Sequence, residues 1–73
     1  MSKTPRSYKV DGRIFTRLIK QKPPFNTQIL VHTFNDEVLS VKAFNTGLGI
    51  EFRNDKESIF LEEHEVNGWS LWQ

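Results

Sequence analysis

Residues 27–44 read TQILVHTFNDEVLSVKAF, and the interpretation of this stretch decides the fold. Two aliphatic, β-branched runs flank Asn35-Asp36-Glu37, the pattern of a β-hairpin. Two registers compete. A two-residue loop at Asn35-Asp36 sets Ile29 opposite Lys42 and Val31 opposite Ser40. A three-residue loop, Asn35 to Glu37, sets Ile29 opposite Ala43, Val31 opposite Val41 and Thr33 opposite Leu39. The second register gathers the apolar groups on one face, and a one-residue slip would expose that whole set, so burial selects it. Its weak point is Glu37, which suits a left-handed loop position poorly. Leu39 and Val41 are therefore expected in the core beside Ile29 and Val31.

Upstream, Val10-Asp11-Gly12-Arg13 admits a tight hairpin turn after a short Ser7–Val10 strand, but helical periodicity is the stronger pattern. At 100° per residue, Ile14, Phe15, Leu18 and Ile19 share one side and Arg13, Arg17 and Lys20 the other. Asp11 suits the N-cap and Val10 a hydrophobic staple onto Phe15, while Pro23-Pro24 ends the element. The pattern predicts a helix over residues 12–21. Downstream, Leu48, Ile50 and Phe52 alternate as a half-buried strand, with Gly49 marking a bulge or bend. Asn54-Asp55-Lys56-Glu57 is a turn, Ser58 to Glu63 a further strand, and Asn67-Gly68 a break before a last strand at Trp69–Trp72. The expected fold is mainly β with one short N-terminal α-helix, the five strands forming a small bent barrel.

The 73 residues make one small domain, with residues 1–6 expected as a flexible tail. Phe15, Phe25, Phe34, Phe44, Phe52, Phe60 and Trp69 recur about once per element, as short strands and turns require. There is no cysteine, which excludes disulfides and thiolate zinc sites and fits a reducing compartment. No apolar run approaches the ~20 residues of a membrane span, and no apolar signal-peptide core follows the basic N-terminus. A cytoplasmic protein without membrane association is expected.

Charge is unevenly placed. Residues 1–22 carry seven cations against Asp11 alone, whereas residues 23–73 carry three cations against eight acids. Such a bipolar chain can bind phosphates at one end and basic partners at the other, or pair its own halves. Catalysis finds no motif. His32 and His64 lack metal-ligand spacing, no serine sits in a nucleophile elbow, and Gly47-Leu48-Gly49 is a turn. Glu62-Glu63-His64-Glu65 on a strand would offer only two ligands per face, so a solvated acidic edge is the reading and no metal or cofactor is expected. Arg13, Arg17 and Lys20 form an acid-free stripe able to meet successive phosphates. Trp69 and Trp72 fall on opposite strand faces, Trp69 expected to be buried and Trp72 exposed as an interface anchor beside Glu62, Glu63 and His64.

Two resemblances bear on function. Leu18-Ile19-Lys20, Gly47-Leu48-Gly49-Ile50 and His64-Glu65-Val66 resemble the Sm-like RNA chaperone family of Hfq, which implies ring assembly and RNA binding. Glu63 stands where that family has a lysine, and Asn45 where it has a Phe-Asp pair. Pro23-Pro24, Ile29-Leu30-Val31 and Val66-Asn67-Gly68-Trp69 resemble a group of small phage and prophage proteins, which implies a mobile-element origin. The leading expectation is a non-catalytic phage-type accessory or inhibitor protein that docks on a host protein. The alternative is an Sm-like binder of single-stranded nucleic acid that uses its basic helix. Either admits a homo-oligomer.

Overall fold

The computed structural model describes residues 5–72, and they form seven antiparallel strands in one open sheet. The strands are β1 (Ser7–Val10), β2 (Arg13–Arg17), β3 (Gln28–Thr33), β4 (Val38–Asn45), β5 (Ile50–Asn54), β6 (Ile59–Glu62) and β7 (Val66–Leu71). Their order in the sheet is β1-β2-β7-β3-β4-β5-β6, and a 3₁₀ turn, Glu63–Glu65, leads into β7. The last strand thus inserts between the N-terminal hairpin and the β3–β6 meander. Two expectations fail here: the described residues contain no α-helix, and the sheet does not close into a five-stranded barrel.

The helix fails at Asp11-Gly12. Both residues have positive φ, 49° and 82°, the pair of values a two-residue type I′ hairpin turn needs. Val10 accordingly pairs with Arg13 and Tyr8 with Phe15. The supposed apolar stripe is not one: Ile14 is 57% and Ile19 81% exposed, while Phe15 is fully buried. Arg13, Phe15 and Arg17 share a strand face instead. Mixing charge with apolar surface is tolerated there because the Arg17 guanidinium lies over the Tyr8 ring, 4.7 Å from its centroid.

The strand count rises from five to seven because β1 and β2 form in place of the expected N-terminal helix. Asn67-Gly68, expected as a break, is part of β7. Gly68 lies inside β7 because a Cβ there would sit 2.6 Å from the Tyr8 hydroxyl and 2.8 Å from the Thr16 carbonyl oxygen. Glycine permits that close approach of β7 to the N-terminal hairpin. At Asn67 the pairing with β3 slips by one residue, His32 facing Gly68 and Thr33 facing Val66. Further along, Leu48 is fully exposed in a loop with Gly47 and Gly49 at positive φ, so the alternation begins only at Ile50.

The central hairpin keeps its three-residue loop but moves it one residue earlier, to Phe34-Asn35-Asp36. The Thr33 amide donates to the Glu37 carbonyl at 2.9 Å, and Asp36 (φ 65°) takes the left-handed position. Aspartate tolerates that conformation, which removes the objection raised by Glu37. Ile29 therefore faces Val41 and Val31 faces Leu39, two residues from the expected register. A shift of two preserves the face, so the expected core side survives. Ile29, Val31, Val41, Ala43 and Phe52 are fully buried, and Leu39 packs half-buried at their margin. Trp69 is buried and Trp72 exposed, as expected. The Trp69 indole N–H donates to the Gln21 carbonyl at 2.9 Å, holding the connection between β2 and β3 beside the core.

Candidate nucleic-acid interface

The strand alternation that buries Val41, Ala43 and Phe52 turns Lys42, Phe44 and Arg53 to the opposite face. Register then aligns them: Gln28 pairs with Lys42, Lys42 with Arg53, and Arg53 with Phe60. Three cations converge on this face, since Lys42 and Arg53 line a groove of about 650 Å³ with Lys56. Phe44 and Trp72 are its aromatic walls, and Trp72 is 54% exposed.

Local bonding fixes the groove's shape. Asn54 Nδ2 donates to the Ser40 carbonyl at 2.7 Å, and Asn54 Oδ1 accepts from the Lys56 and Glu57 amides at 3.0 and 3.2 Å. This side-chain-braced turn sets Lys56 at the rim. Gln28 donates to the Ser40 hydroxyl on the floor. Arg53 lies over Phe44, with its guanidinium carbon 4.4 Å from the ring centroid. Its Nε lies 3.3 Å from Glu51 Oε1 but is buried with no hydrogen bond, because the contact is close without being aligned. A guanidinium lying over a ring keeps N–H donors for a further partner. Asp55 and Glu57 also line the groove, so its excess of positive charge is small.

Of the expected phosphate stripe, Arg13 and Arg17 still share a face, but it is a face of strand β2 and not of a helix. Arg17 donates to the Pro5 carbonyl at 2.8 Å and to Asn67 Oδ1 at 3.4 Å, and its charge sits over Tyr8. Arg13 reaches the Leu71 carbonyl at 3.3 Å, and Lys20 lies beyond β2 in an exposed turn. Arg17 is thus a structural clamp. Of the expected flexible tail, residues 1–4 lie outside the described residues, and the carbonyls of Pro5 and Arg6 accept hydrogen bonds from Arg17. Among the described residues no ion pair joins the basic N-terminal strands to the acidic half.

The expected protein anchor also divides. Glu62, Glu63 and His64 line a separate cleft with Leu48 and Phe60, away from the groove that holds Trp72. Glu63 is not free for a partner, because its Oε1 accepts from the Ile50 amide at 2.8 Å. The 3₁₀ turn replaces the expected strand and brings ligand atoms of Glu62, His64 and Glu65 within 4.8 Å of one another. All three are solvent-exposed, an arrangement common in acidic surfaces without an ion.

A second polar cluster was invisible in the sequence. Buried His32 is held between the Tyr8 hydroxyl at Nδ1 and Asp36 Oδ1 at Nε2, both at 2.8 Å. It ties the tip of the β3–β4 hairpin to β1, with the Phe15 ring 5.8 Å from the imidazole. Desolvation raises the Tyr8 pKa above the ordinary tyrosine value, with Arg17 opposing. A raised folded-state pKa means that the neutral phenol's contribution is complete below about pH 10 and is lost as pH climbs beyond it. Tyr8→Phe should lower stability by about 1–3 kcal/mol, since it leaves a buried imidazole nitrogen unpaired. It should also flatten the alkaline limb of the melting temperature against pH, which thermal melts across that range would check.

Comparison with family models, with curated proteins and with solved structures finds no match for this chain.

Proposed function

We propose that this chain binds single-stranded nucleic acid through the outer face of its sheet, in the groove between Phe44 and Trp72. The observation that carries the reading is the convergence of Lys42, Arg53 and Lys56 with these two aromatics around one cavity. Single strands are held by this pairing of chemistries: unstacked bases lie on aromatic or guanidinium planes, and cations track the phosphates. Exposed Trp72 and the Arg53–Phe44 pair supply two such surfaces. A duplex offers no unstacked base, so it should bind more weakly.

Trp72 is the natural reporter, because the other tryptophan is buried. Titrating a short single-stranded DNA or RNA should quench Trp72 emission. Three phosphate contacts at ~0.7 counterions each give a slope of log affinity against log salt near −2. Trp72→Ala should weaken binding by about 1–3 kcal/mol, the contribution of one base stack. Lys42→Glu with Lys56→Glu should remove most of the slope, whereas Arg13→Glu with Lys20→Glu should change it little. Quenching by duplex equal to that by single strand, or none at low salt, would refute the reading. Docking of a host protein on Trp72 remains the competing outcome: affinity for a protein that is insensitive to salt and to Lys42→Glu would favour it.

A further inference from the structure

The two edges of the open sheet carry opposite charge. Strand β1 ends the sheet on one side, with Arg6 and Lys9 exposed and Arg13 across the turn. Strand β6 ends it on the other, flanked by Asp55, Glu57, Glu62, Glu63 and Glu65 against Lys56 alone. The bipolar sequence is thus resolved into a basic edge and an acidic edge that do not pair with each other within one molecule.

Both edges offer backbone for pairing. The Arg17 amide donates to the Arg6 carbonyl at 2.8 Å, so Arg6 points its backbone inward to β2. By the alternation of an antiparallel pair, Tyr8 and Val10 also point inward, and the amides and carbonyls of Ser7 and Lys9 point out. On the acidic side, Ile59-Phe60-Leu61 contains neither lysine nor proline, the residues that ordinarily guard an edge. Phe60 there is 55% exposed.

We infer that β1 of one copy adds to β6 of a second copy, extending the sheet head to tail through complementary basic and acidic edges. Two like edges would bring acid to acid or base to base, so charge selects the unlike pairing. Such a contact uses different surfaces on its two sides. Repeated, it closes a ring or runs on as a filament. The groove between Phe44 and Trp72 shares Asp55, Lys56 and Glu57 with the acidic edge, whereas Lys9 and Glu62 lie outside it and so test association separately from nucleic-acid binding.

Sedimentation equilibrium of the full chain over a concentration series decides the matter. Wild type should exceed the monomer mass at low salt and dissociate as salt rises. Lys9→Glu and Glu62→Lys should each weaken association about tenfold. An equimolar mixture of the two variants should recover it, since glutamate on one β1 then meets lysine on the other's β6. Ser7→Pro, which removes an outward amide at the first residue of an edge strand, should melt as wild type does yet stay monomeric. Wild type that stays monomeric at every concentration would overturn the inference. So would association that survives Ser7→Pro, or a dimer limit that Glu62→Lys strengthens, which would mean β6 pairing with β6.

Discussion

Gly68→Val should lose folding cooperativity or melt far below wild type. The valine Cβ would occupy space within 2.8 Å of the Thr16 carbonyl oxygen and 2.6 Å of the Tyr8 hydroxyl. Forcing a side chain into a packed site costs about 1–3 kcal/mol, occasionally more. Here the obstacle includes backbone, so the β2–β7 pairing must open to relieve it. That pairing joins the N-terminal hairpin to the rest of the sheet through Thr16–Trp69 and Arg17–Gly68. Adding Tyr8→Phe should give no net rescue, because the Thr16 oxygen and the ring carbon of residue 8, 2.9 Å from the new Cβ, both remain and the His32 partner is lost. Full rescue, or a wild-type melting temperature for Gly68→Val, would mean that β7 does not lie where the structure has it.

Phe52→Ala should be the most damaging single truncation. Phe52 is fully buried in the centre of β5, facing Ala43 on one side and Leu61 on the other. Emptying a buried phenylalanine site costs about 3–5 kcal/mol. A small domain has only about 5–15 kcal/mol in all, so the variant should be largely unfolded at moderate temperature or in mild denaturant. Leu39→Ala, at the half-buried margin of the same cluster, should cost clearly less. Urea melts of the two variants side by side test the ranking.

The β3–β4 hairpin, its buried face and the burial of Trp69 over Trp72 were legible in the residues, because period-two alternation reports burial directly. The N-terminal hairpin was misread for an equally physical reason. Ile14, Phe15, Leu18 and Ile19 happen to fit a helical period, and only the positive-φ demand of Asp11-Gly12 argues otherwise. That turn chemistry should have outweighed the periodicity. The insertion of β7 between β2 and β3 leaves no local trace except Gly68, whose small size answers to Tyr8, sixty residues away.

The groove was obscured for the same reason. Lys42, Phe44, Arg53 and Lys56 look like scattered surface residues until the registers of β3, β4 and β5 are known. Their one local signal is that Lys42 and Phe44 alternate with buried Val41 and Ala43. The basic stripe, in contrast, was conspicuous because its members are close in sequence. In the fold Arg17 is occupied in holding the N-terminus and Tyr8.

Backbone amide and indole chemical shifts during titration with a short single-stranded oligonucleotide test the central claim most directly. The account predicts saturable shifts at Lys42, Phe44, Arg53, Lys56 and the Trp72 indole, with Arg13, Arg17 and Lys20 unmoved. Shifts centred on Arg13, Arg17 and Lys20, or none anywhere at low salt, would contradict it.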